Sequence, residues 1–443
     1  MKTEEIHIDS LAYGGDGVGR VSDGRVAFVA GAFPGDVCQV EYADVNDRFV
    51  RPRMRKLEKQ SEHRVQCACT DAQRCGGCPW AQLAYDEQLR WKRQFVVDAL
   101  SRIARMEQAQ VEELVDACVP SKRQLNYRNK VEFEVGQDVA GRFALGMHAR
   151  QGSFVPLAAC KLCSKKLEAA PKALTGALRF AAGQQDLGIE RVGLRFSERT
   201  GSTEVALWTN TGRFPRARVA QIVGEALGVK GVGVARVLLK GAAKTRKVSG
   251  VESLRGAGCW SEEIAGRIMR LSAPSFFQVN TPGAETLVDL VMDYLQPDGL
   301  DFVLDLYSGA GTFTLPLAHM AHRVAAVESA SSSVKDLRRN LERNDLAAQV
   351  IGGDAARELS GLGDPDKVVV DPPRSGLGAK AVEGLLSTGA REIAYVSCNP
   401  TTLARDLVQL LAGGYSLERV TPVDLFPQTY HVETVVLMSK VKG

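Results

Sequence analysis

No stretch of the chain approaches the roughly 18 uninterrupted apolar residues that a membrane-spanning helix needs. The N-terminus, MKTEEIHIDS, lacks the basic start and apolar run of a secretory leader and carries acids there instead. A cytoplasmic chain without a membrane anchor is therefore expected. Internal repeats and low-complexity tracts are also missing, so a repeat architecture is not expected. A large net charge is absent too: +4 over 443 residues gives little sign of a polyanionic partner. At that length, with 45% apolar and 24% charged residues, two or three soluble globular domains are expected.

The distribution of charge says more than its sum. Residues 1–47 hold three basic residues against nine acidic ones, whereas RFVRPRMRKLEKQSEHR (48–64) holds seven against two. A smaller basic cluster is KGAAKTRK (240–247). Such runs are either solvated faces or phosphate contacts. Ten cysteines in a cytoplasmic chain argue against disulfides and toward metal or catalysis. Four lie in CACTDAQRCGGC (67–78) and two in CKLC (160–163); Cys38, Cys118, Cys259 and Cys398 stand alone. Cys69, Cys75 and Cys78, with a distal thiolate such as Cys160, can make a four-sulfur site for either an iron–sulfur cluster or zinc. Soft ligands alone do not choose between the two.

Residues 1–58 alternate apolar and polar positions between glycine-rich turns, the pattern of a small β-barrel. The cysteine loop and a helical stretch, LAYDEQLRWKRQFVVDALSRIARM, fill 59–124, and 125–261 reads as an α+β domain. From 262 to 443, Val/Ile/Leu runs alternate with helical segments, which predicts an α/β domain with a parallel sheet covered on both faces.

Chemistry-bearing residues gather at the ends of those runs. DLYSGAGTF (305–313) closes a strand with a glycine turn and opens a helix, where open α/β folds bind ligands. The third glycine of a dinucleotide fingerprint is absent. Glu328 ends the next strand, placed for a ribose diol, and Asp354 the one after, placed for an adenine amino group; together they fit S-adenosylmethionine better than NAD. Asp371 in VVVDPPRSG and Cys398 in REIAYVSCNPTTLARDL also end strands. A helix starting near Pro400 and a basic neighbour would lower the Cys398 thiol pKa. Glu433 in FPQTYHVETVVLM begins an otherwise apolar strand, an unusual place for a packing residue.

This module resembles a Rossmann-like class I methyltransferase, and DPPRSG with SCNP narrows the resemblance to the RNA uracil-5-methyltransferase family. AYGGDGVGR (12–20) and FVAGAFPGDV (28–37) resemble a TRAM domain, a barrel of the oligonucleotide-binding type. The resemblance implies Cys398 as nucleophile on carbon 6 of a uracil and Glu433 of His431-Val432-Glu433 as proton acceptor. It implies a cofactor pocket of Gln278 (in PSFFQVN), Tyr307, Glu328 and Asp371 for S-adenosyl-L-methionine, with Thr312 at a position often Asn in relatives; Asp354 joins it from its strand-end placement. It also implies a [4Fe–4S] cluster, zinc being the alternative, on Cys69, Cys75, Cys78 and Cys160, Cys160 fitting better than Cys163. The cluster is expected to be structural or to face RNA. RNA contact is expected along the basic edge Arg48–Arg64; Phe28, Phe33 and Phe49 are candidates for base stacking or, more simply, core packing. The implied activity is 5-methyluridine formation in structured RNA, ribosomal (23S) rather than transfer RNA, with no obligate protein partner. Transfer-RNA T-loop methylation, cytosine-5 methylation, amino-group methylation and a non-catalytic iron–sulfur RNA-binding factor are the competing readings.

Overall fold

In the first strand, Lys2–Leu11, one face is apolar, and Ile6, Ile8 and Leu11 are buried. Its first half pairs with Val37–Tyr42 and its second half with Gly17–Arg20, with a shift in register at Ile8/Ser10. A strand shared in this way bends, and the six-stranded sheet curls around Val29, Cys38 and Val40. The computed structural model describes residues 1–43, 46–150, 152–242 and 246–441; residues 243–245 of the basic cluster at 240–247 therefore lie outside the described residues.

Part of the basic run at 48–64 is engaged in ion pairs. Arg51 pairs with Asp16 at 2.9 Å, Arg55 with Glu41, Lys56 with Glu58 at 2.6 Å, and Arg64 with the buried Asp36 at 2.6 Å. Three of these acids, Asp16, Glu41 and Asp36, lie outside the run, which segment-by-segment charge counting does not see. Phe33 is core, only 1% exposed, while Phe28 and Phe49 meet edge-to-face with Arg51 over both rings.

A second, seven-stranded sheet runs from Lys130–Gln137 to Lys247–Arg255 and is covered on one face by the helices Ala170–Ala182 and Arg216–Glu225. The expected boundary at 261/262 falls inside Trp260–Ile264, half of a hairpin with Arg267–Leu271. Trp260, Ile264, Met269 and Leu271 pack against Leu287 and Val291 of the helix Thr281–Leu295, so the hairpin belongs to the last domain's core.

The third sheet has the strand order Gln349–Gly352, Arg323–Glu328, Phe302–Leu306, Lys367–Val370, Glu392–Ser397, Glu433–Lys440, Tyr415–Val423. The first five are parallel, and Glu433–Lys440 runs antiparallel between its two neighbours. Alternate residues bury on opposite faces: Leu304, Leu306, Val368 and Val370 on one, Val303, Val369 and Ala394 on the other. The helix Tyr85–Arg102, expected with the cysteine loop, lays Val96, Val97 and Leu100 onto the first face.

That helix is also locked electrostatically. Lys92, fully buried, pairs with the equally buried Asp424 and donates to the Phe426 carbonyl at 3.1 Å. Breaking such a pair strands a charge in a low dielectric. Lys92→Met is expected to cost about 3–5 kcal/mol in chemical denaturation. Arg55→Ala, at an exposed pair, is expected to cost less than about 1 kcal/mol. Equal losses would show that the Lys92 pair does not anchor the helix.

Candidate active site at the carboxyl edge of the parallel sheet

Parallel strands deliver their C-terminal residues to one edge, and the antiparallel Glu433–Lys440 delivers its first residue to the same edge. Register makes this concrete: Val370 lies beside Tyr395 and Ser397 beside Thr434. Asp371, Cys398 and Glu433 therefore emerge together from three adjacent strands. Cys398 is followed by Asn399, whose side chain caps the helix Pro400–Ala412 by accepting from Thr401 N–H at 3.1 Å. Asn399 also donates to the Arg374 carbonyl at 3.2 Å, which ties the thiol's loop to the DPPR turn.

Burial dominates the electrostatics. Glu433 is 3% exposed, its Oε2 has no hydrogen-bond partner among the described residues, and burial with the Asp371 charge beside it holds its carboxyl well above the usual range. Burial raises Asp371 to about 7. The expectation of a lowered thiol pKa at Cys398 is reversed: burial, then the charges of Glu433 and Asp371, push it up to about 12, against the opposing Arg374 guanidinium. A helix terminus is a weak partial charge and does not offset desolvation by buried walls carrying two acids. Beside them, burial lowers His431 to about 4, so the imidazole is neutral at neutral pH.

The glycine turn lies two strands away. Tyr307 adopts the left-handed region at φ 62°, which a tyrosine enters only when the surroundings enforce it. At Gly311, φ 105°, a Cβ would meet Leu315 at 2.3 Å and Leu337 at 2.7 Å, so only glycine lets the helix pack there. A Cβ at Gly309 would meet nothing within 4 Å, which leaves that side open. Glu328 accepts from Gly309 N–H at 2.9 Å and Ala330 N–H at 2.6 Å, which fixes its carboxylate over the turn, and Thr312 is half-buried in the same turn. Asp354 does not end its strand. It lies two residues beyond and accepts from Ala356 N–H at 3.1 Å as the cap of a short helix, exposed, near enough to raise the Tyr307 hydroxyl.

Gln278 is buried, and its segment is clamped from both sides. Asn129 donates to the Gln278 carbonyl at 2.9 Å, while Asp336 accepts from Ser272 and Ser275 hydroxyls at 2.7 and 2.6 Å. One acid went unnoticed in the sequence. Asp305 is fully buried, accepts from Thr314 Oγ1 at 2.5 Å, and keeps its Oδ1 unpartnered. Burial, with the charges of Asp371 and Glu328, raises it to about 7. Its place one residue before the strand end, in DLYSGAG, was the available signal.

Cys69, Cys75, Cys78 and Cys160 line one cavity of about 620 Å³, together with Cys67, Arg128 and Gln428. Cys160 is close enough to raise each of the other three electrostatically. Cys163 does not line the cavity; it is core and hydrogen-bonds Cys160. Among the described residues, no three metal-ligating side chains are drawn together at coordinating distance. The four soft donors border one common space.

An acid raised by burial stabilises the fold below the ordinary carboxylate range and loses that contribution as pH rises toward its folded value. For Asp305 the window runs from about 4 to about 7. The Tm of Asp305→Asn minus that of the unaltered chain is expected to grow across that window and to stay flat below it. Parallel Tm–pH curves would contradict this account of the buried acid.

Comparison with known proteins agrees with this arrangement. The tRNA (uracil-5-)-methyltransferase family matches residues 261–362 and 364–441, and the TRAM domain matches residues 1–53. An uncharacterized RNA methyltransferase of Gloeobacter violaceus is 34% identical over 456 residues, covering 99% of this chain and 97% of its own. One from Thermosynechococcus vestitus is 35% identical over 450 residues, covering 99% and 98%. A solved structure, the Pyrococcus abyssi tRNA (uracil-54, C5)-methyltransferase with S-adenosyl-L-homocysteine, superposes with a TM-score of 0.74 at 25% identity, covering 98% of this chain and 100% of that one. The chain belongs to the tRNA (uracil-5-)-methyltransferase family of RNA methyltransferases and carries a TRAM domain at its N-terminus.

Proposed function

We propose that the chain makes 5-methyluridine in structured RNA, ribosomal RNA first, with S-adenosyl-L-methionine as methyl donor. One observation carries the reading: a thiol and an unpartnered buried carboxylate, Cys398 and Glu433, share one desolvated edge with Asp371 and Arg374. Carbon 5 of uracil is a poor nucleophile. Addition of the Cys398 thiolate at carbon 6 pushes the ring's double-bond electrons onto oxygen 4, and carbon 5 then takes a methyl group. The bound cofactor supplies that methyl from a sulfonium and departs as a neutral thioether. Glu433, a stronger base because it is buried, accepts the carbon 5 proton; the double bond re-forms and the thiolate leaves.

Arg374 counters the charges that hold the thiol protonated, and a positively charged sulfonium acts in the same direction. The buried Asp305 and the half-buried Asp371 are the acids such a cation would find, with Glu328, Gln278, Tyr307 and Thr312 assigned to the same pocket. Asp354, already a helix cap, is assigned to the adenine side of the pocket. Cys69, Cys75, Cys78 and Cys160 are assigned to a [4Fe–4S] centre that staples the cysteine loop to the central domain. The transfer-RNA reading has its own support in the whole-chain likeness to the Pyrococcus abyssi enzyme.

Ribosomal and transfer RNA from a deletion strain decide between the two: loss of one 5-methyluridine from ribosomal RNA is expected, and loss confined to transfer RNA would overturn the ribosomal assignment. With purified enzyme, Glu433→Gln is expected to transfer the methyl group but release product at least about 100-fold more slowly, the scale of general base catalysis. Prompt turnover in that variant would remove Glu433 from its role. Anaerobic purification is expected to give a brown protein; a colourless one holding zinc would refute the iron assignment.

A further inference from the structure

The carbonyl of Cys398 lies beyond the last ladder pair, Ser397 with Thr434, and before the helix at Pro400. Neither element supplies its donor. The donor is Tyr13 of the first domain, whose hydroxyl reaches that carbonyl at 3.2 Å across 385 positions of sequence. The same ring meets Tyr430 edge-on at 5.8 Å and Phe95 at 5.6 Å, so one side chain touches the nucleophile's loop, the loop before Glu433 and the helix Tyr85–Arg102. Burial raises the phenol above its ordinary range, against the nearby Arg374, so it stays a donor at neutral pH.

The turn that carries Tyr13 is seated from several sides. Trp80 Nε1 donates to the Gly15 carbonyl at 3.3 Å, Arg150 donates to the Gly14 carbonyl at 3.3 Å, and Asp16 pairs with Arg150 at 3.1 Å. Gly15 sits at φ 86°, and a Cβ there would meet Tyr430 Cδ1 at 2.8 Å.

We propose that Tyr13 is a positioning residue for the methyl-transfer reaction: the TRAM domain, through this hydroxyl, sets the peptide that carries the Cys398 thiol. The inference rests on Cys398 being the nucleophile. Seating of the first domain then becomes a condition for attack on the uracil, and RNA held by that domain is held in register with the thiol. A displaced peptide would carry Sγ off its line to carbon 6, and small misplacements of a reacting atom cost rate steeply.

Tyr13→Phe keeps the ring and its packing and removes the hydroxyl, which donates to the Cys398 carbonyl and accepts from Arg374. At saturating RNA, single-turnover methyl transfer and covalent adduct formation with 5-fluorouridine RNA are both expected to slow about tenfold, the scale of one hydrogen bond. RNA affinity and thermal midpoint should stay unchanged. Alkylation of the Cys398 peptide by iodoacetamide, followed without RNA, should reach half-reaction at lower pH, because a loosened loop hydrates the thiol. A purely structural role would move none of these with the fold intact. Gly15→Ala, which keeps the phenol but displaces the turn from Tyr430, should slow adduct formation as well. Rates within twofold of the unaltered enzyme in Tyr13→Phe would overturn the positioning role alone. Absence of any Cys398 adduct in the unaltered enzyme would instead overturn the nucleophile assignment on which it rests.

Discussion

Everything at the functional edge follows from desolvation of acids beside a thiol. Asp305 and Glu433 are buried and Asp371 is half-buried at the same rim of one sheet, and desolvation raises all three. Charging them without a partner costs free energy, so the edge is poised to receive something cationic or to take up a proton. A sulfonium is such a cation, and carbon 5 of an activated uracil carries such a proton. The Cys398 thiol shares this environment and is pushed up with its neighbours, which keeps it protonated until compensating charge arrives.

Such an edge holds its geometry only if its loops are held from outside. The segment before Glu433 illustrates how. Gln428, at φ 71°, accepts from Trp80 N–H through its carbonyl at 3.0 Å and exchanges hydrogen bonds with Gln88, while Tyr127 donates to the Pro427 carbonyl at 3.2 Å. Lys92 and Asp424 close the same segment from below. Gln428 also lines the cysteine cavity, so the wall of that cavity and the approach to Glu433 share a residue. The cysteine loop, the central domain and the first domain thus all bear on a few residues of the last.

Much of the site was legible because strand ends are legible. Asp371, Cys398, Glu328 and Glu433 each terminate or begin an apolar run, and parallel-sheet topology carries such ends to one edge whatever the connections between them. Cys69, Cys75, Cys78 and Cys160, grouped by the resemblance, line one cavity. What stayed hidden depends on contacts across hundreds of residues. Tyr13 on Cys398, Lys92 on Asp424 and Gln88 on Gln428 leave no periodic trace. Ion pairs from the basic run at 48–64 to Asp16, Glu41 and Asp36 were hidden for the same reason, since those acids lie on other strands and turns. Asp354 lies two residues past its strand rather than at its end and caps a short helix, a local detail that the strand pattern does not show.

The central claim is that Cys398 forms a bond to the target base. The most direct measurement is the mass of the complex formed with S-adenosylmethionine and an RNA bearing 5-fluorouridine, followed by identification of the modified peptide. Fluorine at carbon 5 cannot leave as a proton does, so elimination fails and the complex persists. The account predicts one methylated nucleotide attached to the peptide containing Cys398. A complex on another cysteine, or no covalent complex while 5-methyluridine is still formed on ordinary RNA, would contradict it.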